Sequence, residues 1–271
     1  MKLKATGISA LAIICGMMAA SAAQASSISV KLNSPAVSPG ISSGLKVTFT
    51  GGSQSTVNTG EINWKVTASS TTGYNVGDTF STFCIQGEQS VTSGQTYTYN
   101  VVSLDSTGIP NGGSDAGVLD STAALQIQGL VNSYFSDAGV AYSGYDANQT
   151  AAAFQLAVWE IEYDGGYGKE TFTNGGSTNF LTAGLLEATG TGSEALGTVT
   201  LANYWLNHFT AATSVTSLAL VSGGAQDQLI CNISSGGGGN LATVPLPAAF
   251  PAGAALLTGL FGARKLRRKL V

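Results

Sequence analysis

The sequence predicts a mainly β protein with a helical insertion, an α+β fold on a β-sandwich or barrel-like framework. Three observations predict it. Apolar residues alternate with polar ones in several short segments near both ends, the period of two expected of half-buried strands. Between them, from Ala123 onward, the period lengthens to that of a helix. Gly, Ser and Thr are abundant while only 10% of residues are charged, a composition suited to a β protein rich in turns.

In chain order, Ile28, Val30 and Leu32 alternate first, then Leu45, Val47 and Phe49. Ile62, Trp64 and Val66 alternate with Glu61, Asn63, Lys65 and Thr67, the cleanest half-buried strand of the chain. Phe80–Ile85 carries apolar side chains on both faces, which predicts an inner strand. Tyr97, Tyr99 and Val101 alternate again. A Gly-rich loop spans Asp105–Asp115. Ala123, Ile127, Leu130 and Tyr134 then mark one helical face, and Asn148–Tyr163 reads as a second helix opened by Asp146 or Asn148 and stopped by Gly165 and Gly166. Phe180–Ala188 and Glu194–Phe209 are weaker helical segments. Strand patterns return at Val215–Val221 and Asp227–Ile233.

The two ends differ in character from this domain. Lys2 and Lys4 precede an apolar run from Ile8 to Ala20, followed by Ala23-Gln24-Ala25. A basic start, an apolar run too short to span a bilayer and a small-x-small site describe a secretory signal peptide over residues 1–25, cleaved after Ala25. Near the other end, Ser234–Asn240 opens a Gly-rich linker over 234–243. Val244-Pro245-Leu246-Pro247-Ala248 follows, then an apolar stretch from Phe250 to Gly262 and a basic tail from Arg264 to Lys269. The stretch is marginal for a membrane span, and the basic cluster would hold its end on the cytoplasmic side. Residues 244–271 resemble the C-terminal sorting signal of the PEP-CTERM class in its VPLPA form. The resemblance implies a Gram-negative bacterium, transient membrane anchoring, processing by an exosortase-type enzyme, and delivery to the cell surface or extracellular matrix.

Charge narrows the function of what remains. Of 11 basic and 15 acidic residues, seven basic ones (Lys2, Lys4, Arg264, Lys265, Arg267, Arg268, Lys269) and no acidic ones lie in the end segments. The domain over 26–233 with its linker therefore carries four basic residues against fifteen acidic, a net charge of −11. Nucleic acid is excluded as a partner, since it requires a positive footprint, and attachment to anionic lipid by charge alone is excluded as well.

Enzyme signatures are sparse, and the sequence reads as a non-enzyme without a cofactor. The one histidine, His208, stands beside Trp205 in a helical segment and reads as a packed residue, because a triad or a His-based metal site needs further partners. Asp105, Asp115 and Asp120 border a Gly-rich loop, but their spacing fits no EF-hand. Gly165-Gly166-Tyr167-Gly168-Lys169 lacks the spacing of a phosphate loop. Glu160 and Glu162 point to different faces of their helix and do not pair as the carboxylates of a glycosidase would.

One pair remains. Cys84 lies in Phe83-Cys84-Ile85 on the inner strand, and Gln155 in Phe154-Gln155-Leu156-Ala157-Val158-Trp159 on the second helix. Helical spacing puts Ala151, Gln155 and Trp159 in one row beside the core face formed by Phe154, Val158 and Ile161. A carboxamide there needs a partner. These two motifs resemble those of the thioester domains of bacterial surface adhesins. The resemblance implies that the Cys84 thiol attacks the Gln155 carboxamide, releases ammonia and leaves an internal thioester, shielded by Phe83, Phe154 and Trp159. It also implies a helical subdomain between the Cys and Gln motifs. Phe154 stands where that family commonly has Thr. Held in contact, the two groups gain a very high effective concentration, and a dry aromatic pocket slows hydrolysis. A surface amine or a polysaccharide hydroxyl would then take the acyl group in a reaction spent once.

Three states of the sulfur stay open: the thioester, a Cys84–Cys231 disulfide favoured by an oxidising compartment, and free thiols. Three functional classes follow: a covalent adhesin, a non-covalent structural protein of the exopolysaccharide matrix carrying the disulfide, and a secreted hydrolase, the last with no visible acid–base constellation.

Overall fold

A computed structural model of the chain describes residues 26–231, apart from 42, 50–51, 88, 107–108, 110–118, 137, 139, 166–177 and 183. The segments expected as a signal peptide with Ala25, a linker over 234–243 and a sorting signal with Val244, Pro245, Leu246, Pro247 and Ala248 lie outside the described residues.

The chain is mainly β. Six strands close into an antiparallel barrel: β1 (Ser27–Ile41), β4 (Thr59–Ser69), β5 (Thr79–Cys84), β9 (Gln228–Ile230), β8 (Leu218–Val221) and β6 (Thr96–Ser103), in that order around the ring. Residues paired across neighbouring strands share a face, so the registers define the interior. Ile28 faces Tyr99, Val30 faces Val66 and Tyr97, Leu32 faces Trp64, Trp64 faces Phe80, and Val101 faces Leu220. These side chains are the alternating set of the sequence, turned inward together. Thr82, Cys84 and Gln228 belong to the same face, through Ile62↔Thr82, Cys84↔Gln228 and Leu220↔Gln228. The barrel core therefore holds polar groups as well as apolar ones.

A second sheet orders β3 (Ser55–Thr56), β2 (Leu45–Phe49) and β7 (Leu186–Gly190). The described helices are α1 (Ser121–Tyr134), α2 (Ala147–Asp164) and α3 (Ser193–Leu206). Asp120 caps α1 by accepting from the Ala123 N–H at 2.7 Å. Asp146, not Asn148, caps α2: its carboxylate accepts from the Gln149 N–H while the Gln149 side chain accepts from the Asp146 N–H, a reciprocal capping box. Asn148 instead accepts from the Gly40 N–H at 3.1 Å and ties β1 to the helix. α2 packs against α1, α3, β1, β4, β5 and β7. Every described residue from Thr150 to Asp164 is buried, which explains why its sequence is apolar nearly all round.

Two expectations change. Phe180–Ala188 forms a 3-10 turn over Phe180–Thr182 and then strand β7, whose Ala188 pairs with Val47. The segment's apolar spacing is too short to separate a helix from a strand, and pairing with β2 decides it. The final strand ends at Ile230 in the ladder, so Cys231 lies just past β9. Glu194–Phe209 is helical as expected over Ser193–Leu206. Among the described residues, no helix is long and apolar enough to cross a membrane.

Candidate functional site

The β4–β5 ladder runs from Lys65↔Thr79 to Ile62↔Thr82 and stops two residues before Cys84. Gly40 and Gly60 meet at that end of β4, packed so closely that a Cβ on either would strike the backbone of Thr59 or Pro39. On its other side β5 continues along β9, with Phe83 opposite Leu229 and the Ile85 N–H donating to the Asp227 carbonyl at 2.9 Å. Alternation of the ladder turns the Cys84 N–H and C=O away from β9, toward the place β4 has vacated. A buried peptide group left there would cost stability.

Gln155 fills that place. The Cys84 N–H donates to Gln155 Oε1 at 2.7 Å, and Gln155 Nε2 donates to the Cys84 carbonyl at 2.8 Å. The helix thus presents one side chain that imitates the missing strand. Gln155 is 1% exposed, and α2 is held over β5 by Phe154, whose ring lies 4.7 Å from that of Phe83. Phe135 of the α1 C-cap closes the same cluster, 6.0 Å from Phe154 and 6.4 Å from Phe83. Phe83 and Phe154 therefore fix the approach of helix to strand on the outer face of the barrel wall.

Trp159 lies one turn beyond Gln155 and is 3% exposed. It packs edge-on against Phe49, with ring centroids 5.3 Å apart, and Phe49 also meets Tyr163 at 5.1 Å. Gly87, three residues after Cys84, lies against the Phe49 ring so closely that a methyl group there would overlap it. Phe49 is a cover residue that sequence reasoning left as one member of a strand alternation. Only the docking of β2 on the helices reveals it.

The sulfur points the other way, into the barrel. There a chain of hydrogen bonds runs Trp64 Nε1 to Thr82 Oγ1 at 2.8 Å, Thr82 Oγ1 to Gln228 Oε1 at 2.8 Å, and Gln228 Nε2 to the Gln226 carbonyl at 3.0 Å. Tyr99 Oη donates to the same carbonyl at 3.1 Å. Gln228 Nε2 also lies 3.9 Å from Cys84 Sγ. Burial pushes the Cys84 thiol far above its usual range; the Gln228 contact draws it partly back, and the charge of Glu162 adds to the rise. Asp227 follows the same logic. Burial lifts its carboxyl from 3.8 to about 6, opposed by the Ser222 N–H, which donates to Oδ1 at 2.8 Å. Its Oδ2 is buried without a hydrogen bond.

Cys84 and Cys231 are both free. With Cys84 opposite Gln228, Cys231 falls three residues further along the chain, just past the end of β9, about 10 Å away at the usual extended rise. A disulfide needs Cα atoms within about 7 Å. The Cys84–Cys231 bridge is therefore corrected: the register separates the two cysteines. Burial raises the Cys231 thiol as well, with the Glu61 charge adding to it.

Apart from Glu162, whose charge reaches Cys84, none of the remaining candidates makes one of the contacts with this pair given above. His208 stacks on Tyr204 at 4.1 Å, with Nδ1 2.6 Å from the Tyr204 carbonyl. Asp120 is a helix cap, Asp105 accepts from the Ser103 hydroxyl, and Asp115 lies outside the described residues, as do 166–169 of the glycine-rich segment. Among the described residues, no group of three or more His, Cys, Asp or Glu could hold a metal ion. Glu160 and Glu162 are both fully buried in α2. No known protein family, curated protein or solved structure matches the chain.

Proposed function

We propose that the chain is an exported surface or matrix protein whose barrel carries an internal Cys84–Gln155 thioester and uses it to attach covalently to an amine or hydroxyl on its target. One observation carries the reading: the Gln155 carboxamide is held against the Cys84 peptide by two hydrogen bonds. Its Oε1 accepts a backbone N–H, the kind of fixed donor that stabilises charge developing on a carbonyl oxygen under attack. Its carbon lies beside the Cys84 peptide, and the sulfur, which faces Gln228 inside the barrel, would turn about the Cα–Cβ bond to attack it. In the first step the Sγ–Cδ bond forms, the Cδ–Nε2 bond breaks, and the thiol proton leaves with the nitrogen as ammonia. In the second, an amine or hydroxyl of the target displaces the sulfur, and Cys84 regains a proton as a thiol. Of the described helices only α1 lies wholly between Cys84 and Gln155, α2 carries Gln155 and α3 follows it, so the helical part of this reading extends beyond the two motifs, with Trp159 and Phe49 as the cover.

The signal peptide and sorting signal read from the sequence agree with such a role, because they would carry the domain to where a target is met. The acidic surface favours cationic or neutral partners over anionic ones.

A glutamine that only completes the hydrogen bonds of a strand end would satisfy the same two contacts. Intact mass separates the two. The thioester protein is lighter than its sequence by one ammonia, loses that deficit in Cys84→Ala and in Gln155→Ala, and takes up a fluorescent primary amine at Gln155. A full sequence mass in freshly purified protein, with no labelling, would refute the thioester.

A further inference from the structure

We propose that Gln228 is the positioning residue of the Cys84 sulfur, aiming an N–H at it through both the formation and the opening of the thioester; this rests on the thioester reading above. The barrel interior supplies the geometry. Cys84 and Gln228 are directly opposed in the β5–β9 ladder. They form the close, non-hydrogen-bonded type of pair, because the Phe83 and Ile85 positions on either side make the bonds to β9. Their side chains therefore emerge side by side on the inner face.

The Gln228 amide is not free to turn. Thr82 Oγ1 donates to its Oε1 at 2.8 Å, and Thr82 is itself oriented by the Trp64 indole N–H at 2.8 Å, which leaves the hydroxyl hydrogen for Gln228. Of the two Nε2 hydrogens, one is taken by the Gln226 carbonyl at 3.0 Å, and the other faces Sγ at 3.9 Å. Gln228 and Thr82 are at most 1% exposed. A glutamine, a threonine and an indole in a barrel core are costly unless satisfied, and the bonds that satisfy them here also turn a donor to the sulfur.

Such a donor favours sulfur that carries charge over sulfur that does not. When the thiol attacks Gln155, the sulfur gives up its proton to the departing nitrogen. When a nucleophile opens the thioester, the Cδ–Sγ electron pair returns to sulfur. Before the attack and again after the opening, when the sulfur carries its negative charge, the N–H of Gln228 meets it, in an interior that holds no basic residue among the interior strand positions named above.

The experiment compares Gln228→Met, which keeps the length and loses both polar atoms, with Thr82→Val and Thr82→Ser. The first readout is the rate of amine labelling in otherwise unaltered protein. The second is the rate at which a small methylthiolating reagent modifies Cys84 at one fixed pH, in a Gln155→Ala, Cys231→Ser background where no thioester forms. Gln228→Met is expected to lower both rates about tenfold, the effect of one hydrogen bond to a charged atom. Thr82→Val lowers them in the same direction by freeing the amide to rotate, and Thr82→Ser restores them. Unchanged thiol modification in Gln228→Met, or equal rates in the two Thr82 variants, would overturn the proposal. Absence of the ammonia deficit in the parent protein would remove the thioester reading alone, since the thiol measurement still decides whether Gln228 acts on sulfur.

Discussion

Gln155 bonds to Cys84 through the peptide, and Gln228 approaches it through the side chain, so two glutamines 73 residues apart hold one cysteine from opposite sides. Peptide and sulfur are therefore separable by mutation.

Gln155→Ala orphans a buried N–H and a buried C=O, at about 1–3 kcal/mol each. Cys84→Ala keeps both bonds and removes one small buried group, costing about 1 kcal/mol. Both variants lack any Cys84–Gln155 cross-link, so its contribution cancels between them. Gln155→Ala is expected to unfold at a clearly lower urea concentration than Cys84→Ala. Equal midpoints would mean that the two hydrogen bonds carry no stability.

Phe49 edges onto Trp159, and Gly87 lies against Phe49. Phe49→Ala should open this cover and shift tryptophan emission to longer wavelength, because Trp64 and Trp205 remain fully buried. Phe49 is only partly buried, so the cost is expected near 1–2 kcal/mol, below that of a fully buried ring. Gly87→Ala should move the emission the same way by displacing the ring. If the thioester is present, both variants lose it to hydrolysis faster, read as faster decay of the ammonia deficit.

Asp227 gives a pH signature. Its folded value, about 6, lies above the ordinary 3.8, so between these limits the folded state holds the proton more tightly than the unfolded state. Its contribution to stability is full below about pH 3.8 and is lost as pH rises through about 6. Asp227→Asn cannot titrate. The difference in unfolding free energy between wild type and Asp227→Asn, read from denaturant melts, is expected to move in favour of the variant as pH rises from 4 to 6, by on the order of 1–2 kcal/mol. Other carboxylates cancel in that difference, and a constant difference would refute the shift.

Asp164 ends α2 with a different task. Its carboxylate accepts the Leu185 N–H at 2.7 and 2.9 Å and the Leu186 N–H at 2.8 Å, which starts β7. Asp164→Ala leaves both N–H groups unpaired and should cost about 2–4 kcal/mol in a denaturant melt. Asp164→Asn keeps one acceptor oxygen and should fall between. Loss of amide protection at Leu185 and Leu186 is the local check.

The strands around the barrel were legible because each has one buried face, and Ile62, Trp64 and Val66 against Glu61, Asn63 and Lys65 display it directly. α2 was legible through helical spacing, with Phe154, Val158 and Ile161 on one face between a capping Asp146 and the stop at Gly165 and Gly166. The meeting of Cys84 with Gln155 was legible as a match to a pair of motifs. Its form was not, since nothing local says that β4 stops short of Cys84. Gln228 was invisible for a related reason. It sits in a three-residue strand, Gln228–Ile230, and its importance lies in what the register sets across from it. Phe180–Ala188 misled because its apolar residues serve a turn and a strand in succession. Cys231 misled because adjacency of strands does not fix their offset.

The closed ring also imposes an order in time. β5 leaves any export channel long before the strands that complete its neighbourhood, since Cys84 is 71 residues from Gln155 and 144 from Gln228. Contacts that distant form only after long loops have closed. An emerging chain therefore carries Cys84 as an ordinary thiol until β8 and β9 arrive. If the chain is exported and the thioester forms as proposed, the chemistry assembles last, after the strand bearing the sulfur has cleared the machinery that its reaction could otherwise have trapped.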